Sequence, residues 1–219
     1  MTLAIFDLDN TLLHGDSDHS WGQFLVEQGV VDAEEYKRVN DHFYEQYQLG
    51  TLDYDAFTAF ALKPLSENSM EQLAAWHKQF MQEKVQPMLQ KKAQELLQKH
   101  REQGHYLLII TATNAFITRP IAELMGVDEI LATEPEIVDG RYTGRPKGTP
   151  CFQEGKVKRL HEWLEETGHT LDGSYFYSDS MNDLPLLQVV DKPIVVDGDE
   201  ALNHYAKQHN WLMMSLRSE

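Results

Sequence analysis

Leu3-Ala4-Ile5-Phe6-Asp7-Leu8-Asp9-Asn10-Thr11 is the stretch that decides how the chain is read. Four apolar residues running into Asp7 are what a strand buried on both faces looks like where it leaves a parallel sheet. Open α/β sheets bind ligands at the carboxyl ends of their strands, so Asp7 and Asp9 stand where reactive groups are expected. Two carboxylates there repel each other unless a cation or a shared proton compensates. Alone, the same letters also spell a polar strand-to-loop turn built on Asn10, and so short a motif needs its context.

The context lies at other strand ends. His105–Ile110 is a second buried run that delivers Thr111 to its end. Tyr175-Phe176-Tyr177 is a third, followed by Ser178-Asp179-Ser180-Met181-Asn182-Asp183. Ile130-Leu131, Ile194–Val196 and Trp211–Met213 read as shorter strands, and Val138-Asp139-Gly140-Arg141-Tyr142 carries the Asp-Gly hairpin signal. Helical spacing falls between them: residues 88 to 103 with Leu89, Ala93, Leu96 and Leu97, a segment with Phe116, Ile121 and Leu124 closing at Gly126, and one holding Lys156, Val157, Leu160 and Leu164. Strands alternating with helices imply the α/β class with a doubly wound parallel sheet.

Residues 15–87 show no strand pattern. Trp21, Phe24 and Leu25 share one helical face; Tyr36, Val39, Phe43 and Tyr47 share a second. Phe57, Phe60 and Ala61 belong to a helix expected to stop before Pro64, and Leu73, Trp76 and Phe80 to a fourth. Asp32, Asp53 and Ser69 are the expected caps. The expected organisation is a core of residues 1–14 plus 88–219 and an all-helical cap of residues 15–87, with the aromatic stripes as the cap's own core. A segment inserted there projects over the carboxyl-end crevice as a lid.

The chain has 219 residues, 42% hydrophobic, and a formal charge of −16. No run approaches the roughly 20 apolar residues of a membrane span. The negative charge disfavours nucleic acid and anionic membranes as partners, leaving a small molecule, with the protein a monomer or homodimer. An anionic substrate must then be drawn in by a local cation. The N-terminal strand lacks a basic leader and Cys151 is the one cysteine, so a reducing, cytoplasmic setting is expected.

An acidic trio of Asp7, Asp9 and Asp179 suits Mg²⁺, which takes hard oxygen ligands from one or two carboxylates and fills its octahedron with water and phosphate oxygens. Such a cation lets Asp7 approach a phosphate ester and attack phosphorus, giving an aspartyl phosphate. Phosphoryl transfer needs mainly positioning and charge neutralisation, which the metal, Lys156 and the Thr111 hydroxyl can supply. Asp9, two residues on, points away from Asp7 in extended chain, and is placed to protonate the leaving oxygen and then take a proton from water.

Taken together, F-D-L-D-N-T, I-I-T-A-T-N, G-K-V-K-R-L and Y-S-D-S-M-N-D resemble the four motifs of the haloacid dehalogenase superfamily, and the resemblance spans the whole chain, helical insert included, as in the phosphoserine phosphatase-like branch. It implies a Rossmann-like core and places Asp7, Asp9, Thr111, Lys156, Asp179 and Asp183 on motif positions. It also implies Mg²⁺ held by Asp7, the backbone carbonyl of Asp9 and Asp179, with Asp183 close behind. Dehalogenase members lack the second aspartate of the first motif, so Asp9 points to phosphatase chemistry.

In the phosphoserine phosphatases an acidic residue contacts the substrate's ammonium, and its position here is Asp16. Their cap arginine, which grips the substrate carboxylate, aligns with Ala61, and no arginine occurs from 39 to 100. The second motif also departs, with Thr111-Ala112-Thr113 in place of Ser-Gly-Gly. A site lacking a bidentate carboxylate clamp discriminates poorly for an amino-acid phosphate. The expected substrate is therefore an amine without a carboxylate; histidinol phosphate fits, and bacterial relatives resembling this chain have been assigned that activity. Phosphoserine and phosphoethanolamine or phosphocholine come next. Substrate contacts are expected from Asp16, Thr111 and Lys156.

Each position also has a plainer reading. Lys156 has Lys158 and Arg159 as neighbours, as a surface lysine would; Thr111 can be an ordinary strand-end residue. Asp183, Asn114 and Asp16 can be helix caps. The histidines show no ligand spacing, and Cys151 reads as a loop residue rather than a nucleophile. Two rival classes use the same letters: a phosphotransferase that passes the phosphoryl group to an alcohol, and a signalling module phosphorylated on Asp7. Asp9, a hydrolytic acid/base, argues against the second.

Overall fold

The computed structural model describes residues 1–217. β1 (Leu3–Phe6) is wholly buried and is hydrogen-bonded on one side to β2 (Tyr106–Asn114) and on the other to β5 (Tyr175–Ser178), both parallel. β3 (Glu129–Val138) and β4 (Arg141–Lys147) extend the sheet beyond β2; β6 (Lys192–Val196) and β7 (Leu212–Met214) extend it beyond β5. The order is β4-β3-β2-β1-β5-β6-β7, with only the β3–β4 pair antiparallel. The chain therefore winds outward from β1 in both directions, and the crevice at its carboxyl end is the switch point where such sheets bind ligands. This is the doubly wound sheet and Rossmann-like core expected from the sequence.

Alternation along β1 divides the core between the two faces. Ala4 and Phe6 face a layer made by α1 (Ser17–Glu27), α4 (Met70–Phe80), α6 (Lys91–Glu102) and α7 (Ala115–Met125). Leu3 and Ile5 face α8 (Glu154–Thr167), α9 (Leu184–Leu187) and α10 (Glu200–His209). Between β1 and β2 the described chain is helical, adding α2 (Ala33–Gln48), α3 (Tyr54–Glu67) and the short α5 (Gln86–Met88). Asp32, Asp53 and Ser69 cap α2, α3 and α4 as expected. The two passages into and out of this segment run side by side, since His14 N donates to the Met88 carbonyl at 2.8 Å and Leu13 bridges Leu89.

Three expectations change. Trp21, Phe24 and Phe80 are not the core of a separate helical unit: they are buried in the same cluster as Phe6 and Ile109, because α1 and α4 lie on the sheet. The rings of α2 and α3 pair across the two helices, with Phe43 and Phe57 at 5.7 Å and Tyr36 and Phe60 at 4.4 Å between centroids. α3 does not stop before Pro64. It continues to Glu67, giving up one backbone hydrogen bond, because Pro64 is buried and its neighbours Leu62 and Leu65 pack against Leu73, Trp76 and Tyr142. The helix read from residue 88 starts at Lys91, since Leu89 is extended where it bridges Leu13.

Beneath the sheet's apolar layer, His100 is buried between Phe6, Tyr175 and Tyr177; its Nε2 is 2.7 Å from the Tyr177 hydroxyl and its Nδ1 2.8 Å from His105 Nδ1. Burial, then the neighbouring His105, Lys99 and Lys192, lower its pKa to about 4. The unfolded chain therefore binds a proton here that the folded chain refuses, and His100 costs stability as pH falls from about 6.5 towards 4. A His100→Gln variant is expected to lose less stability than the parent between pH 7 and pH 4, measured as the difference of their urea unfolding free energies at each pH.

Candidate active site

Phe6 is the last strand residue of β1, and Asp7 N still donates to the Tyr177 carbonyl at 2.9 Å, so the Asp7 side chain is fixed at the strand's end. Leu8–Leu12 then makes one wide turn closed by Leu13 N on the Leu8 carbonyl at 3.0 Å, with Asn10 at φ +57°, a left-handed conformation that Asn tolerates. From behind, Gln90 Nε2 donates to the carbonyls of Thr11 and Leu12, and the Arg217 guanidinium to those of Asn10 and Leu13. The loop is held on both sides.

Lys156, in the first turn of α8, is 1% exposed, with Nζ 2.8 Å from Asp7 Oδ1 and 2.7 Å from Asp183 Oδ1. It is no surface lysine. Burial alone would lower its pKa, but Asp183 and Asp7 outweigh it and keep the ammonium protonated. Asp183 does not cap α9; its second oxygen accepts from Ser178 Oγ at 2.7 Å. Asp179 follows β5, and Thr11 joins it to Asp7: Thr11 Oγ1 is 2.9 Å from Asp179 Oδ1 and 3.3 Å from Asp7 Oδ2.

Asp9 is turned elsewhere. Its Oδ1 accepts from Ser17 N at 2.6 Å and its Oδ2 from Thr113 Oγ1 at 2.8 Å. Thr111 is buried at the site, its Oγ1 accepting from Thr113 N at 3.2 Å. Asp16 caps α1 through His19 N at 2.8 Å and also lines the cavity above Asp7. Asn114 caps α7. Cys151 is a buried loop residue whose thiol is pushed up to about 12 by burial, so its thiolate is disfavoured at neutral pH.

The carboxylates crowd one another. Burial first, then Asp183 and Asp9, raise Asp7 to about 7 against the opposing pull of Lys156. Burial and Asp16 raise Asp9 to about 7, opposed by its bonds to Ser17 and Thr113. Burial and Asp7 hold Asp179 well above the usual carboxylate range. One ammonium does not offset this charge. Among the described residues no group of three or more His, Cys, Asp or Glu side chains forms a metal cage. The donors present are the carboxylates of Asp7 and Asp179, converging on one hydroxyl, and backbone oxygen from the same loop. That hard-oxygen set with unbalanced negative charge fits Mg²⁺, which keeps several waters and needs few protein ligands.

The cavity over Asp7 is roofed by α2 and α3. Asp7, Asp9 and Thr111–Thr113 form its floor, Asp16, Asp18 and His19 one side, and Phe43, Tyr44, Tyr47, Tyr54 and Phe57 the roof. The roof is fastened to the floor: Tyr54 OH donates to the Ala112 carbonyl at 2.8 Å, its ring stacks on Phe152 at 4.6 Å, and Asn182 Nδ2 donates to the Tyr47 carbonyl at 3.0 Å. Burial and the facing Asp7, Asp183, Asp179 and Asp16 hold the Tyr47 phenol well above its ordinary range, so it stays a donor.

The sequence reading assigned no role to Thr11, Thr113, Ser17, Asp18, Tyr47 or Tyr54. Thr11 and Thr113 lie inside the motif strings, four residues past Asp7 and two past Thr111, where a hydroxyl so close to a candidate site residue was a usable signal. The tyrosines gave none, because a half-buried aromatic on a helix looks the same over a core or over a cavity.

Removing the ammonium leaves two buried carboxylates facing each other. Lys156→Ala is expected to lose about 3–5 kcal/mol of stability at pH 8. A carboxyl raised in the folded state binds protons that the unfolded state does not, so the loss should shrink as pH falls towards 5. Urea unfolding at the two pH values measures both effects.

The sequence profile of the haloacid dehalogenase-like hydrolases matches residues 4–188. The chain is 47% identical to a histidinol-phosphatase of Neisseria meningitidis serogroup C (strain 8013), over 98% of this chain and 99% of that one. A crystal structure of a protein of unknown function from Bordetella pertussis Tohama I superposes with a TM-score of 0.93 at 43% identity, covering 99% of this chain and 100% of that chain. A substrate-bound phosphoserine phosphatase superposes with a TM-score of 0.71 at 18% identity, over 97% and 92% of the two chains. At that identity the likeness is one of fold.

Proposed function

The chain belongs to the haloacid dehalogenase-like hydrolases and is a phosphatase, and from that premise we propose that it is a Mg²⁺-dependent phosphomonoesterase acting on histidinol phosphate through an aspartyl phosphate on Asp7. The observation that carries the choice of substrate is the lining of the cavity. Beyond the Asp7 floor it offers Asp16, Asp18 and aromatic rings, and neither Lys nor Arg is among the lining residues. Such a surface takes a cationic, partly apolar group. It has no clamp for the carboxylate of phosphoserine. The 47% identity to a histidinol-phosphatase supports the same reading.

In this mechanism Asp7, held at both oxygens by Lys156 and Thr11, attacks phosphorus as the ester P–O bond breaks. Asp9, fixed by Ser17 N and Thr113 away from Asp7, gives its proton to the departing alkoxide oxygen. Water then attacks the aspartyl phosphate, Asp9 takes its proton, and Asp7 leaves as carboxylate with inorganic phosphate released. Thr111 and Tyr47, which line the cavity, offer hydroxyls to the phosphoryl oxygens, and Lys156, bonded to Asp7, balances the charge there. Bound Mg²⁺, held by Asp7, the Asp9 carbonyl and Asp179, would supply the charge that lets a carboxylate and a phosphate meet. The role of Asp183 is to anchor Lys156, since both its oxygens are engaged. Within residues 15–87 the helices α2 and α3 act as the lid that must part from the floor to admit the ester, since Trp21 and Phe80 hold α1 and α4 on the sheet.

Phosphate release from histidinol phosphate is expected to exceed that from phosphoserine by about a hundredfold in kcat/KM, the range a mismatched buried charge produces. Activity should vanish on chelation and return with Mg²⁺, and Asp7→Asn should show none. A preference for phosphoserine would overturn the substrate; near-parental turnover in Asp7→Asn would overturn the covalent step.

A further inference from the structure

The loop that brings Asp7 and Asp9 into the site is gripped by a residue outside the four motifs. Within Leu8–Leu12, Asp9 is extended and Asn10 left-handed, so no helical ladder runs through the turn. Two side chains take its carbonyls instead. Gln90 Nε2 donates to those of Thr11 and Leu12, each at 3.2 Å. Arg217 donates from Nη2 to the Asn10 carbonyl at 2.8 Å and from Nη1 to the Leu13 carbonyl at 3.3 Å. Its Nη1 also lies 3.4 Å from Gln90 Oε1, which joins the two side chains into one clamp across four successive carbonyls.

The outer strands of the sheet put Arg217 there. Asp197 follows β6; its Oδ2 accepts from Leu216 N at 2.9 Å and stands 3.7 Å from Arg217 Nε. Leu216 is buried in the same cluster as Phe6, and Lys92 Nζ donates to the Arg217 carbonyl at 2.6 Å. The guanidinium therefore turns Nε to Asp197 and both terminal nitrogens to the loop, a division that a planar fork allows and an ammonium does not. With the side chain 26% exposed and the pair at 3.7 Å, the Asp197 contact adds little to stability.

The consequence lies in what the Asn10 peptide carries. The Asn10 carbonyl shares one rigid plane with Thr11 N, so the bond from Arg217 fixes the plane from which Thr11 projects. Thr11 Oγ1 spans Asp179 Oδ1 at 2.9 Å and Asp7 Oδ2 at 3.3 Å, and accepts from Asp179 N at 3.1 Å. On the other side of Asn10 stands Asp9, aimed at Ser17 N and Thr113 Oγ1. Arg217 itself does not line the cavity.

We infer that Arg217 is a positioning residue for the phosphatase reaction: through the Asn10 peptide it sets the spacing of Asp7 and Asp179 and the aim of Asp9. The inference rests on the roles proposed for those three aspartates. Groups that orient metal ligands and catalytic carboxylates from behind are worth about ten- to a hundredfold in metal affinity or activity.

The test is Arg217→Met, which keeps the stem and removes every donor, assayed well below its melting temperature with p-nitrophenyl phosphate as a generic phosphomonoester. At saturating Mg²⁺ its kcat should fall about tenfold or more while KM stays within about threefold. The Mg²⁺ dissociation constant of the substrate-free protein, from calorimetric titration, should rise about tenfold. Arg217→Lys keeps the charge but brings a single nitrogen to two carbonyls, so it should show both changes at about threefold or more, and it decides the matter if Arg217→Met does not fold. A fall in kcat without weaker Mg²⁺ binding, weaker binding without the fall, or a change confined to KM or to the melting temperature overturns the inference. A parent protein that binds no Mg²⁺, or an Asp7→Asn variant that turns over, overturns the proposed function instead, and the positioning role with it.

Discussion

Negative charge forced into one place is the constraint on which the rest of the structure depends. Asp7, Asp9 and Asp183 are buried and Asp179 is half-buried at the end of the central strand, with Lys156 as their buried cation. Taking carboxylates out of water is expensive, and it is repaid only where partners are close and well aimed. Every partner here comes from a different element: the ammonium from α8, hydroxyls from Thr11 and Ser178, and a backbone N–H from α1. The cluster thus ties the winding order of the sheet to the placement of single side chains. Only with β2 and β5 on either side of β1 do Thr111 and Asp179 arrive beside Asp7.

The same charge explains the division of labour between floor and roof. The floor gathers the carboxylates of Asp7 and Asp9 with the hydroxyls of Thr111 and Thr113, and the roof sets five aromatic rings above Asp16 and Asp18. In the proposed function the first serves the phosphate with its Mg²⁺ and the second the cationic remainder of the ester. Because Tyr54 bonds to the Ala112 carbonyl and Asn182 to the Tyr47 carbonyl, the roof is tied to β2 and to the turn after β5, which carry the second and fourth motifs.

Strands and floor were legible in the sequence because both rest on local letters. A continuous apolar run ending in a carboxylate specifies a buried strand and the group at its end, and Asp7 and Asp179 lie where that pattern puts them, whereas β2 runs on past Thr111 to Asn114. Lys156 needed the motif string, since periodicity cannot tell a buried lysine from a solvated one. What local pattern could not show was which core an aromatic stripe joins. Trp21 and Phe80 read as the inside of a separate helical unit, and long-range packing placed them on the sheet. Pro64 read as a helix stop, and burial beside Leu62 and Leu65 carried α3 past it. Tyr54 and Asp18 matter only through residues far along the chain, so no spacing announces them.

The most direct test of the account is the thermal stability of the parent protein as Mg²⁺ is added at constant ionic strength. A divalent cation that offsets the repulsion between Asp7 and Asp179 binds the folded chain alone, so the melting temperature should rise and saturate. In Asp179→Asn the rise should be largely lost. A parent protein whose melting temperature ignores Mg²⁺, or an Asp179→Asn variant that responds as the parent does, would contradict it.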